Sequence, residues 1–255
     1  MIYGDILSVI HDEGFKQFSM NAYREITDHC DIGRIGVITD LGCGSGDLLK
    51  RFDNGNIELF GVDISDRMIS IARSKVPSAE LTVGSIYRYP IRKSDLVTAI
   101  GEVLNYLADD PVHDRLDLNM NNQVEDIPRN DVAGLFRSVY SALKPGGFFI
   151  FDVMLESETE DRTYQTMLDT ERWTVISESA EDKGRKRVTR KIVSFFKNGE
   201  CYYKSTETHD LQLYSETFLT DMLTETGFQV TARDHYGGFP LGRGRKAFIC
   251  SKKEG

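Results

Sequence analysis

The chain has 255 residues, 40% of them hydrophobic, and its 31 Lys and Arg against 40 Asp and Glu give a formal net charge of −9. This suits one full core in a large α/β domain and speaks against a global electrostatic attraction to nucleic acid. No run approaches the roughly 18 apolar residues of a membrane span, the N-terminal segment lacks the basic start of a signal peptide, and Cys30, Cys43, Cys201 and Cys250 form no metal-like pair, so a cytoplasmic protein with reduced thiols is expected.

Residues 2–30 carry Ile6, Leu7, Ile10, Phe15, Phe18, Tyr23 and Ile26 at helical spacing. They predict two short helices split near Gly14. The cluster His11 to Phe15 admits two readings, the lining of a substrate site or a solvated helix end.

From Gly36 to Asp47 the chain reads GVITDLGCGSGD. Val37, Ile38 and Leu41 form a short apolar run, three glycines follow at Gly42, Gly44 and Gly46, and Leu48, Leu49 and Phe52 open an amphipathic segment. This is strand, tight turn, helix. Glycine is needed where a chain turns with φ above zero or where a ligand approaches the backbone closely. The helix behind the turn offers unpaired N–H groups and a positive dipole end, so a polar or anionic ligand is expected there. Ile57 to Asp63 reads as a second strand ending in an acid. Asp63 follows Gly42 at about the 20-residue interval at which dinucleotide-binding units place the acid that takes the ribose hydroxyls. These residues predict a nucleoside-type ligand.

The glycine spacing is not the G-x-G-x-x-G of nicotinamide and flavin enzymes. It is Asp40-x-Gly42-x-Gly44-x-Gly46, with Asp47 where the third glycine would fall. Together with Asp63, this resembles motif I and the second-strand acid of the class I S-adenosylmethionine-dependent methyltransferases. The resemblance implies a seven-stranded, doubly wound, Rossmann-like α/β sheet and S-adenosyl-L-methionine as cofactor. It puts Gly42, Cys43 and Gly44 under the methionine part of the cofactor, Asp40 behind the turn and the cofactor's amino end, and Asp63 on the ribose. It implies a helical cover from residues 1–33 over the cofactor cleft.

Ser65 is a candidate N-cap for a helix with Met68, Ile69 and Ala72 on its inner face. Ile64 and Met68 join the expected cofactor set. Leu81 to Val83 is a third strand, followed by Gly84, Ser85 and Ile86. The family often has Gly-Asp here, with the acid on the adenine amino group. Ser85 departs from that pattern but retains a hydroxyl, and Ile86 is expected against the adenine ring. Asp95 to Ile100 is a fourth strand, and Gly101-Glu102-Val103-Leu104-Asn105-Tyr106 lies at its carboxyl end, where open parallel sheets bind ligands. GEVLNYL resembles a segment of small-molecule methyltransferases. Gly101 and Glu102 are assigned to the cofactor, Glu102 and Asn105 face the transferring methyl, and Tyr106 is read as either core or site. Residues 107–130 are a long polar connection containing His113, which reads as solvent-facing.

Val132 to Leu143 carries a helical stripe ended by Lys144-Pro145-Gly146-Gly147. The string ALKPGGFFIFDV resembles the passage into the family's fifth strand. Residues 171–214 change to period two, with turns at Asp182-Lys183-Gly184 and Asn198-Gly199. They predict an antiparallel meander inserted as a lid within a single domain spanning 1–255. Lys183 to Lys191 holds six basic residues in nine, an RNA-contacting ribbon or a solvated hairpin tip. Ser215 caps a last helix that stops at Gly227. Phe228 to Ala232 and Lys246 to Cys250 make the closing hairpin of the sheet, with Phe239 and Arg243 between them.

Methyl transfer from a sulfonium is a displacement governed by positioning and water exclusion. Glu102, His11 and His209 are candidates to take a proton. Tyr3, Phe15, Asn105, Tyr106, Trp173, Tyr214 and Tyr236 are candidate acceptor walls. The leading expectation is transfer to N or O of a small-molecule acceptor. No metal, nucleic acid or membrane partner is expected, and oligomeric state stays open. Two alternatives remain: an RNA or protein methyltransferase docking through 183–191, and a non-catalytic S-adenosylmethionine-binding regulator.

Overall fold

The strands predicted as unbroken apolar runs lie at the centre of one sheet. A computed structural model describes residues 3–107, 131–157, 162–242 and 244–254; the residues His113 and Arg243 singled out in the sequence lie outside them. Strands β1 (Val37–Leu41), β2 (Glu58–Asp63), β3 (Glu80–Val83), β4 (Ser94–Ala99) and β5 (Leu143–Met154) are joined by β10 (Gln229–Arg233) and β13 (Arg245–Ser251). Their order is β10-β13-β5-β4-β1-β2-β3, with β13 antiparallel to both its neighbours and every other pairing parallel. A parallel sheet covered on both faces buries both sides of its strands. Phe149 and Phe151 enter one core with Phe136 and Phe248, while Ile150 enters the other with Ile38, Leu49 and Ile69.

Helices α3 (Asp47–Phe52), α4 (Asp66–Lys75), α5 (Val132–Ala142) and α6 (Glu216–Thr226) pack on this sheet. Their starts follow capping chemistry. Ser65 accepts the Met68 N–H, Asp131 that of Gly134 and Ser215 that of Phe218. Helix α6 stops at Gly227, φ 111°. As the sequence predicts, the N-terminal segment forms two helices, α1 (Asp5–Gly14) and α2 (Lys16–His29).

A separate four-stranded meander contains β6 (Thr163–Asp169), β7 (Trp173–Asp182), β8 (Arg187–Asn198) and β9 (Cys201–Gln212). It begins one strand earlier than the period-two pattern from residue 171 suggests. Every residue of β6 is exposed, so no alternation of burial marked it. Trp173, Val175 and Ile192 pack with Leu7 and Ile10 of α1 in a core of their own. Bridges between Tyr106 and Leu211 and between Leu155 and Tyr214 tie the meander to the carboxyl ends of β4 and β5. A short hairpin, β11 (His235–Tyr236) with β12 (Phe239–Pro240), precedes β13. Among the described residues, no helix is long and apolar enough to cross a membrane.

Candidate active site

The turn after β1 takes the conformation its glycines permit. Gly42, Gly44 and Gly46 have φ of 73°, 53° and 80°. A Cβ on Gly42 would lie 2.5 Å from Val103, whereas one on Gly44 or Gly101 would meet nothing within 4 Å, so backbone is open to a ligand at these two positions. The N–H groups of Gly42 and Cys43 donate to the Val62 carbonyl, which folds the turn back onto β2. Asp63 secures it: one carboxylate oxygen accepts the Gly44 N–H and the other the Ser65 N–H, both at 2.9 Å. Burial raises the Asp63 pKa, and those two N–H groups act against the rise.

A cleft of about 740 Å³ of empty space, mouth included, opens above this turn. It is lined by Gly42, Gly44, Asp63, Ile64, Met68, Ser85, Ile86 and Gly101, all expected there from the sequence, and by Tyr3, His11 and Tyr106. Gly84, Tyr87, Ile100 and Val103 complete it. Asp40 and Cys43 do not line it. Asp40 is buried beneath the turn, where it accepts the Thr98 hydroxyl at 2.7 Å. Burial raises its pKa to about 7, opposed by Thr98 and aided by Asp63. The Cys43 thiol is buried and also pushed up by burial. Both residues therefore shape the turn from below.

A second cavity adjoins the first and shares Tyr3, His11, Gly101 and Tyr106 with it. Its walls come from α1 and α2 (Leu7, Phe15, Phe18) and from the inner face of the meander (Tyr164, Leu168, Val175, Ile192). The Tyr3 and Tyr106 hydroxyls meet at 3.0 Å. His11 stacks on Phe15 and meets Tyr3 edge-on. Its Nδ1 is buried without a hydrogen-bond partner, and burial lowers its pKa to about 4, so the ring is neutral.

Several expected roles are corrected by this geometry. Glu102 lines the second cavity and not the cofactor-side cleft. It is 3% exposed and sits between Arg190, at 3.1 Å, and the Nε of Arg245. Both of its oxygens are therefore engaged in ion pairs. His209 is fully buried, 3.0 Å from Glu207 and enclosed by the Tyr3 and Tyr106 rings, and lines neither cavity. Asn105 is fully buried and spent on backbone: its amide donates to the Met154 and Gln212 carbonyls and accepts the Met154 N–H. Tyr214 donates to the Leu104 carbonyl, Tyr236 donates to Asp152, and Trp173 packs against α1. All four are outside both cavities and act as supports.

The sequence reading missed Asp152, Arg190 and Arg245. Asp152, at the end of the FIFDV string, accepts the N–H groups of Gly101 and Glu102 and so fixes their positive φ of 101° and 60°. Its pKa rises to about 6 through burial, countered by the Gly101 N–H. Its place in the string was legible. Arg190 was absorbed into the basic run 183–191, but faces the cavity, while Lys186 pairs with Glu156 and Arg185 with Asp182.

Residues 38–117 match the family model described as a methyltransferase domain. The Bacillus subtilis (strain 168) protein provisionally named methyltransferase YqeM is 28% identical over 232 residues, 86% of this chain and 84% of that protein. An S-adenosylmethionine-dependent methyltransferase from Clostridium acetobutylicum ATCC 824 superposes with a TM-score of 0.75 at 22% identity, over 96% of this chain and 97% of the other. The S-adenosylmethionine-bound amino pentose methyltransferase CalS10 from Micromonospora echinaspora superposes with a TM-score of 0.69 at 14% identity, over 99% of each chain. The glycine turn, the acid behind it and the seven-stranded order agree with these matches, which together support a class I S-adenosylmethionine-dependent methyltransferase.

Proposed function

We propose that this methyltransferase transfers the methyl group to a nitrogen or oxygen of a metabolite-sized acceptor held in the second cavity. The observation that carries the reading is the junction: two cavities meet at Tyr3, His11, Gly101 and Tyr106. On this reading Asp63 takes the ribose hydroxyls, Gly42 and Gly44 border the methionine part, and Ile64, Met68 and Ile86 flank the adenine, with Ser85 within reach of its edge. Bound S-adenosylmethionine supplies an electrophilic methyl. The protein supplies position and dryness. Tyr3 and Tyr106 orient the acceptor at the junction, Phe15 closes the wall, and neutral His11 offers Nδ1 to an acceptor N–H or O–H.

Nitrogen is favoured over oxygen. A neutral amine attacks without prior loss of a proton, and the carboxylate that lines the second cavity, Glu102, is paired with two arginines. The amino pentose acceptor in the CalS10 description supports the same choice. We assign residues 1–33 and the meander to a cover within one domain, and a cytoplasmic setting belongs to the same proposal. Docking of RNA through 183–191 is not favoured, because Arg190 turns inward and Arg185 and Lys186 are ion-paired.

The test is transfer of labelled methyl from S-adenosylmethionine to a library of small amines and alcohols, with total RNA and denatured protein in parallel. Label in a small amine or alcohol is expected. Label confined to RNA or protein would overturn the reading.

A further inference from the structure

Of the residues lining the second cavity, Glu102, Arg190 and Arg245 carry charge, while His11 is neutral. Glu102 binds Nη2 of Arg190 through one oxygen and Nε of Arg245 through the other. One carboxylate between two guanidinium groups leaves a positive charge unbalanced. Each guanidinium spends one nitrogen on Glu102, and its remaining side-chain N–H groups make no hydrogen bond to another described residue. The clamp is rigid at its centre. The Glu102 side chain is 4% exposed and its backbone N–H is held by Asp152. Burial works against the charge on Arg190, but Glu102 together with Tyr106, Tyr164 and Tyr3 outweighs it and favours the charged guanidinium. Arg245 reaches the cavity from β13 and is 32% exposed at its side chain.

A guanidinium presents a planar fork of donors that matches carboxylate and phosphate oxygens. Here that fork lies in a cavity walled mostly by apolar and aromatic side chains, inside a chain of net charge −9. Global charge therefore does not favour an anion, and the attraction has to be local. We propose that Arg190 and Arg245 form an anion subsite, and that the methyl acceptor carries a carboxylate or phosphate that docks there. Glu102 positions the two arginines. The inference rests on the reading of this cavity as the acceptor site.

The test uses protein loaded with S-adenosylhomocysteine, titrated by calorimetry with benzoate, phenyl phosphate and their neutral analogue benzamide. Binding of at least one anion is expected, at least about tenfold tighter than benzamide. The stronger of the two anions identifies the docking group as carboxylate or phosphate. Arg245→Gln should weaken anion binding roughly tenfold to a hundredfold, with S-adenosylhomocysteine affinity and melting temperature as controls for fold. Glu102→Gln releases both arginines from their counter-charge and should tighten anion binding, a result that mere loss of structure would not give. Benzamide binding as tightly as both anions would overturn the proposal, as would unchanged anion affinity in Arg245→Gln. If Arg245→Gln does not fold, the anion-to-benzamide ratio and the direction of the Glu102→Gln effect decide. Anion binding with no small molecule methylated would sustain the subsite and count against the proposed function. Methylation of neutral and acidic amines with equal kcat/KM would do the reverse.

Discussion

Asp63 does two things at once. Its oxygens fasten the glycine turn through Gly44 and Ser65, and its carboxylate borders the cleft. Asp63→Ala should lower S-adenosylhomocysteine affinity roughly tenfold to a hundredfold, the range for lost hydrogen bonds to a charged group. Calorimetry at matched folded fraction checks this, and unchanged affinity would remove Asp63 from the site. Asp40 supports the same turn from beneath and titrates differently. Its folded pKa is raised by burial from 3.8 to about 7, so the folded state binds the proton more tightly than the unfolded one. The stabilisation is present at low pH and is lost as pH rises from about 4 to 7, by up to roughly 4 kcal/mol at 1.36 kcal/mol per pKa unit. Asp40→Asn removes this slope. Denaturant titrations at acid and neutral pH should show the variant gaining on the wild type as pH rises, and a constant difference would contradict the burial argument. The turn was legible because glycines and acids at fixed spacing are local signals. The Glu102 clamp was not, because its partners come from β8 and β13, far along the chain.

Helix α1 is fastened at both ends to other elements. Glu207 of β9 accepts the Tyr3 and Gly4 N–H groups, and the Ser65 hydroxyl donates to the Tyr3 carbonyl. Lys75 of α4 bridges Asp12 of α1 and Asp47 of α3. Lys75→Met leaves two carboxylates without their common cation. Because all three groups are about a fifth exposed, the loss is partly screened and modest in energy. Amide exchange in residues 5–14 should nonetheless rise severalfold while β1 and β4 stay protected, and S-adenosylhomocysteine affinity should fall severalfold. Unchanged exchange in α1 would show that Lys75 does not hold the cover. The two N-terminal helices could be read from their 3.6-residue spacing, and three strands of the meander from period two. The fourth, β6, is exposed along its length and was not marked by burial, and neither periodicity told which faces would meet.

At the scale of the whole molecule, the meander is joined to the N-terminal helices through a shared core and to β4 and β5 through the bridges at Tyr106 and Leu155. Trp173, the chain's one tryptophan, is 7% exposed at that joint, and a Cβ on Gly14 would lie 2.9 Å from its ring. Trp173→Ala should destabilise the fold by about 3–5 kcal/mol, the usual cost of a large buried truncation, and should loosen α1 together with β7. A loss below about 1 kcal/mol by chemical denaturation would mean that cover and meander are independent. The seven-stranded sheet was legible because its strands are continuous apolar runs between recognisable turns. The second cavity was not, because it exists only where α1, α2 and the meander come together. On the proposed function, the cofactor's methyl emerges where the two cavities join. A crystal structure with S-adenosylhomocysteine tests this most directly. The expected result has the ribose hydroxyls on Asp63, the adenine between Ile64 and Ile86, and the sulfur at Gly101 and Tyr106 facing the second cavity. A ligand seated elsewhere, or one whose sulfur points away from that cavity, would contradict the account.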